Sequence, residues 1–232
     1  MILYKYTGRE GMKKIICGAS LLVRPLNEFN DPFESVPAIS DEALRLLAEE
    51  TFETASAQQW LSAHPDFVGE ELTIPRLQAR LREPTFRHEL ADKLARRTRA
   101  TQTLLQIAVY FQDHFSTRTG LVCLTKNPNS ILMWSHYAEE HRGFLFSLDT
   151  SLWEHDGFTP VAYSNTRVSY AGRSAAAELM PIFMTKSLAW KYEEECRSLC
   201  KVDSWKVVGD SKQDFLSLEP QQIGWICAGA GP

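Results

Sequence analysis

A chain of 232 residues with 44% hydrophobic side chains can bury one sizeable core and lies near the upper end of single-domain length. Its 25 basic and 29 acidic side chains leave a formal net charge of −4, which does not advertise DNA, RNA or anionic lipid as a partner. No apolar run approaches the roughly 20 residues that cross a bilayer, and Met1 to Lys5 lacks the basic start and long apolar stretch of a signal peptide, so a cytoplasmic chain with no membrane partner is expected.

Ile2 to Tyr6 reads as a first strand, Gly8 to Cys17 as a short helix ending at Gly18, and Ser20 to Val23 as a second strand. Pro25 and the run through Glu34 break regular structure. Pro32 keeps Asp31 out of a helix, Asn27 and Asn30 invite side-chain turns, and Phe29 and Phe33 imply a loop pinned onto the core. From Ser40 the composition shifts to amphipathic helices, read as a helical insertion at about 38–118. A stripe of Leu90, Leu94, Leu104, Leu105, Ala108 and Phe111 runs along its longest helix, from Phe86 to Phe115. Arg76, Arg80, Arg82, Arg87, Arg96, Arg97 and Arg99 make this part locally basic. A solvated helix face is the first explanation, and a phosphate-bearing ligand or nucleic acid beside it the minority one.

Gly120 to Thr125 follows as a short apolar strand, and Asn127-Pro128-Asn129 as a turn. Ser130 then caps a helix running to Glu139, with Ile131, Trp134 and Ala138 as its inward stripe and Met133, His136, Tyr137 and Glu140 on a neighbouring face. That second face is either a partly buried histidine hydrogen-bonded to a group such as Glu140, or the polar wall of a pocket. Strands are expected at Gly143 to Asp149, Thr159 to Tyr163, Glu194 to Val202, Asp214 to Leu218 and Gln222 to Cys227, with a helix from Ala175 to Ser187 interrupted by Pro181. The fold class is α+β: one domain over residues 1–232, a split mixed sheet around a cleft, and the helical insertion.

On the late strand, alternation puts Glu195, Arg197 and Leu199 on one face and Cys196, Ser198 and Cys200 on the other. Glu195 and Arg197 then form either an ion pair at a sheet rim or a carboxylate poised beside a ligand and fixed by the guanidinium. The nearby aromatics Trp134, Tyr137, Trp190 and Tyr192 favour a pocket. The cysteines, Cys17, Cys123, Cys196, Cys200 and Cys227, sit in apolar or alternating segments and suit reduced structural thiols, and no metal site is expected from their spacing or from the histidines. Phosphate loops, dinucleotide fingerprints, nucleophile elbows and His-Glu-x-x-His are all missing.

Three stretches resemble a family of largely uncharacterised bacterial proteins, the domain of unknown function 2971 family. They are Tyr4-Lys5-Tyr6 with Phe29-Asn-Asp-Pro-Phe-Glu34, Met133-Trp-Ser-His-Tyr-Ala138 before Gly143, and Lys186 through Trp190 to Tyr192-Glu-Glu-Glu-Cys-Arg197. More distantly, Leu3-Tyr4-Lys5-Tyr6-Thr7 and the strand bearing Glu195 resemble the first and last elements of the ADP-ribosyltransferase fold, departing at Lys5 where such transferases carry His or Arg. That likeness implies NAD as cofactor, with Glu195, His136 and Tyr137 as catalytic residues. It implies a cofactor contact surface of Tyr4, Lys5, Tyr6, Asn30, Asp31, Trp134 and Arg197. Glu195 would bond the nicotinamide ribose and stabilise an oxocarbenium-like transition state, in a toxin or phage-defence effector whose macromolecular target is not specified. The alternatives are a non-catalytic ligand-sensing or interaction module, separated from a transferase by whether Glu195 is free or buried against Arg197, and a nucleic-acid-modifying enzyme using Asp31, Glu34 and Glu195 around a metal.

Overall fold

A computed structural model describes residues 1–31, 34–46, 79–100, 111–153, 157–172, 176–203, 206–208 and 211–230. Within them the chain is α+β with mostly antiparallel sheet, and it divides into two compact units. No helix among the described residues is long and apolar enough to cross a membrane.

The first unit comprises Met1–Val36, Phe111–Arg167 and Met180–Pro232. It opens with β1 (Ile2–Thr7), α1 (Arg9–Gly18) and β2 (Ser20–Pro25). The second unit comprises Pro37–Tyr110 and Val168–Leu179. There β3 (Ala38–Ile39) pairs in parallel with the later Ser169–Tyr170, and α2 (Pro84–Ala100) follows. Pro84 suits the start of α2, where a missing N–H costs nothing. Leu44, Phe86, Leu90 and Ala91 are buried, and Arg45 pairs with Asp92 at 3.1 Å. The expected stripe residues Leu104, Leu105 and Ala108, together with Arg76 and the side chains of Arg97 and Arg99, lie outside the described residues.

Returning to the first unit, the chain runs through β4 (Thr119–Thr125), α3 (Ile131–Tyr137), β5 (Phe144–Asp149), β6 (Thr159–Pro160) and β7 (Ala162–Ser164). After β8 (Ser169–Tyr170) of the other unit come α4 (Ala176–Phe183), β9 (Thr185–Ser187), β10 (Glu195–Lys201), β11 (Lys206–Val208), β12 (Ser211–Ser217) and β13 (Ile223–Ala228). The predicted helix to Ser187 therefore ends early. Pro181 removes a backbone donor within α4, and Thr185 to Ser187 pair instead with β7 in parallel.

The nine-stranded sheet runs β11-β12-β2-β4-β1-β5-β13, with β10 on β4 and β6 on β10, every pairing antiparallel. Its central strand β4 is paired along one side by β10 from Thr119 to Thr125. On the other side it is shared. β2 reaches only Gly120 and Leu121, while β1 reaches only Thr125. Between those contacts β1 and β2 diverge, and the sheet splits.

Period-two alternation sorts the two faces. Leu3, Leu21, Val23, Val122, Leu124, Phe146, Leu148 and Cys196 form one buried cluster with Ile15 of α1. Register places Tyr4, Arg24, Leu121, Cys123, Thr125, Glu195 and Arg197 on the opposite face. There Tyr6, Met133, Ala138 and Leu145 make a second buried cluster.

Candidate functional site

α3 stands over this second face. Ser130 Oγ accepts from Met133 N at 3.3 Å, the expected cap, and Tyr6 ties the helix to β1 by donating to Asn127 O at 3.1 Å and accepting from Ser130 N at 3.2 Å. The inward face differs from the expected stripe. Ile131 is 74% exposed, whereas Met133 and Ala138 are buried and Trp134 is half-buried, edge-on to Tyr6 at 5.3 Å. The helix also stops at Tyr137. Glu139, Glu140 and His141 adopt positive φ values of 47°, 53° and 69°, turning the chain towards Gly143, whose N–H reaches Ala138 O at 2.7 Å. That turn removes Glu140 from the helix face: it pairs with Arg142 at 3.3 Å, and His136 is exposed beside Trp190, Tyr192 and Tyr137, with ring centroids 5.9 to 6.3 Å away.

Below α3, a short helical turn from Leu188 to Glu193 delivers Glu193 to the start of β10. Glu193, Glu195, Arg197, Lys186 and Glu34 are each no more than 5% exposed and form one ionic cluster. Arg197 donates from Nε to Glu195 Oε1 at 2.8 Å and from Nη2 to Glu195 Oε2 at 3.0 Å, reaches Phe183 O at 2.6 Å through Nη1, and also donates to Glu34 Oε1. Lys186 donates to Glu193 Oε2 at 2.6 Å and to Glu195 Oε2 at 3.1 Å. Tyr137 donates to Glu193 Oε1 at 2.6 Å.

The cluster holds carboxylates from Glu34, Glu193 and Glu195 against the cations of Lys186 and Arg197, and its titration follows from that excess of acid. Burial alone would raise the Glu195 carboxyl, but Arg197 and Lys186 outweigh it and hold it down at about 2. Glu34 shares Arg197 with Glu195 and lies 3.9 Å from Lys186, so burial wins there and pushes its carboxyl up to about 7. Burial would lower the Lys186 ammonium, and the three surrounding carboxylates raise it instead. The Tyr137 phenol is pushed up by burial and by Glu193.

The split between β1 and β2 opens into a cleft of about 590 Å³. Tyr4, Lys5, Tyr6, Asn30, His136, Tyr137 and Glu195, all expected at the site, line it. Trp134, Asp31 and Arg197 do not. Trp134 packs on Tyr6, Asp31 is buried in the loop after β2, and Arg197 lies behind Glu195 with no exposed surface. The loop is held by hydrogen bonds, Gln112 Nε2 donating to Leu26 O and Glu34 O, each at 3.0 Å, and Ser116 Oγ accepting from Asn27 N at 3.0 Å, and by Phe29, whose ring centroid lies 5.6 Å from the Arg197 guanidinium carbon. Pro32 and Phe33 lie outside the described residues.

Lys5 is the bridge across the split. Its strand neighbours Leu3 and Phe146 face the core, yet its ammonium reaches β4 and donates to Cys123 O at 2.9 Å, satisfying a carbonyl that neither β1 nor β2 pairs. Burial pulls this ammonium below its ordinary value. Sequence reasoning did not select Lys186 and Glu193 as site residues, although both stand in the Lys-Trp-Tyr-Glu run that it singled out; Arg24 lay just past the expected end of the second strand at Val23 and had no signal. Free thiols are found at all five cysteines, of which Cys17 and Cys227 are exposed rather than packed.

No group of His, Cys, Asp and Glu side chains among the described residues suits a metal ion. Glu34 Oε1 and both oxygens of Glu195 accept from Arg197, so these carboxylates are turned to a guanidinium. Comparison with protein-family models, with curated proteins and with solved structures finds no match to this chain.

Proposed function

We propose that the protein is a ligand-binding module whose split-sheet cleft takes a small nucleotide-class molecule without turning it over, in a sensing or interaction role. The observation that carries this reading is the state of Glu195. Both of its oxygens are taken by Arg197, and Oε2 also by Lys186, so the carboxylate is a paired wall of the cleft, which favours binding over turnover. Glu193 is likewise engaged, by Tyr137 and Lys186. A cleft of about 590 Å³ that combines the rings of Tyr4, Tyr6, Phe29 and Tyr137 with charged and polar side chains has the size of a small-molecule site. The test is calorimetry with NAD and with mononucleotides, alongside nicotinamide release. Saturable binding without release supports the module, and absence of binding by every nucleotide removes it.

NAD-dependent glycosyl transfer, as in ADP-ribosyltransferases, is the second reading. It is favoured by the divergence of β1 from β2 beside the strand that starts with Glu195, which leaves that carboxylate lining the cleft together with Tyr4 and Lys5. Under it NAD would supply the leaving nicotinamide, and Glu195 would stabilise the developing cation. Glu195→Gln, first checked for folding by circular dichroism, should then lower nicotinamide release on the order of 100-fold. Release that is equal in the two proteins removes Glu195 from the chemistry.

A further inference from the structure

The acids that line the cleft are all matched. Glu193 and Glu195 are held by Lys186, Glu10 bonds Lys13 at 2.7 Å, and Glu139 accepts from Arg9 N at 2.9 Å. That last bond also occupies the N-terminus of α1, the other positive element of the cleft wall. The cations are not all matched. Among the described residues neither Lys5 nor Arg24 has a carboxylate partner: Lys5 bonds only the neutral carbonyl of Cys123, and the exposed Arg24 guanidinium has no hydrogen bond or ion pair. They line the cleft from opposite lips of the split, Lys5 on β1 and Arg24 on β2, and Lys5 feels the Arg24 charge against it and the charges of Glu195 and Glu193 with it. Two cations that line one cavity and are held in no ion pair of their own suit the phosphoryl group of a ligand.

Deepening the binding reading above, on which it rests, we infer that Lys5 and Arg24 form a phosphoryl-binding subsite, so that the ligand is a nucleoside phosphate lying along β4 with its phosphate at the β2 end. Register gives the polarity. Arg24 pairs opposite Leu121, while Tyr4 pairs opposite Thr125, next to Tyr137 and the exposed His136. Two strand residues separate Thr125 from Cys123, where Lys5 places its ammonium, by about 7 Å, a ring-to-phosphate distance in a nucleoside monophosphate rather than the dimension of a compact anion. The planar ring belongs at the aromatic end, where Tyr137 and His136 offer π faces, and the phosphate at the cationic one.

Calorimetry with AMP, adenosine and inorganic pyrophosphate tests the assignment. Wild type should bind AMP at least about tenfold more tightly than adenosine, with an affinity that falls as salt rises. Arg24→Gln, at an exposed position that leaves the fold unchanged by circular dichroism, should bring AMP down to the affinity of adenosine without altering the latter. Lys5→Met should do the same where it folds; the assignment stands on Arg24→Gln where it does not. Equal affinity for AMP and adenosine in wild type, or an AMP preference that survives Arg24→Gln, overturns the subsite while leaving the cleft a binding site. Pyrophosphate binding without any nucleoside preference overturns the ring-to-phosphate polarity. Failure of all the probes, NAD included, removes the binding reading together with the subsite.

Discussion

Arg197 holds Glu195, two residues earlier on the same strand, through paired hydrogen bonds of 2.8 and 3.0 Å, and extends the same guanidinium to Glu34. One buried cation thus joins the start of β10 to the loop after β2. Such a pair adds little over well-packed apolar residues when intact, because both charges were taken out of water, but removing one partner strands the other. Arg197→Met should therefore destabilise the protein by about 3–5 kcal/mol, since Glu34 and Glu195 lose their common partner. Urea unfolding measures it, and a midpoint close to wild type would show that the carboxylates find other partners or protons. Arg197→Lys should recover only part of the loss, because an ammonium cannot span both oxygens of Glu195 and Glu34 together.

The inward face of α3 gives a sharper contrast. Met133→Ala should cost about 2–5 kcal/mol, as truncation of a buried aliphatic side chain does, whereas Ile131→Ala, at a position 74% exposed, should stay within about 0.5 kcal/mol of wild type. Thermal melts of the two variants decide it. The reverse order would restore Ile131 to the core face.

Gly143 is fixed by space. A Cβ there would fall against Thr7 O and within 2.8 Å of Ala138 backbone atoms, at the point where the chain leaves the left-handed turn and enters β5. Backbone cannot yield as a flexible side chain can, so Gly143→Ala should destabilise by about 1–3 kcal/mol. Gly157→Ala isolates the separate cost of a left-handed backbone, having open space around it but a φ of +76°. A neutral Gly143→Ala would mean that β1 and α3 part easily.

These elements also mark how far the sequence could be read. The strand alternation of Glu195, Arg197 and Cys196 was legible because one face of β10 is apolar core and period two leaves no choice of side. Ser130 was legible as a cap because a short polar side chain follows a Pro-Asn turn. The inward stripe of α3 was not, since Ile131 and Met133 are both apolar and only the Tyr6 hydroxyl, bonded at Asn127 and Ser130, decides which one faces β1. The ionic cluster was illegible for a different reason. Glu34 lies far in sequence from the run that carries Lys186 and Arg197, and nothing local distinguishes a lysine bound for three buried carboxylates from a solvated one.

The pH dependence of stability takes its sign from the two carboxyls at either end of Arg197. Glu34 titrates at about 7 in the folded chain against an ordinary 4.5, so the folded state retains a proton that the unfolded state has lost. Stability from this group is present below pH 4.5 and declines as pH rises through about 7, by on the order of 3 kcal/mol. Glu195 behaves oppositely. Held at about 2, it contributes stability above pH 4.5 that is lost as pH falls towards 2. Stability should therefore peak near pH 4.5 to 5 and fall on both sides. Glu34→Gln replaces the protonated carboxyl by a neutral group of the same shape, and Gln Oε1 can still accept from Arg197. It should flatten the decline between pH 5 and 8 while leaving the acid limb, and by pH 8 it should be more stable than wild type. Denaturation midpoints at half-unit pH steps measure both limbs; a variant with the same slope as wild type above pH 5 would show that the extra proton of the cluster does not reside on Glu34.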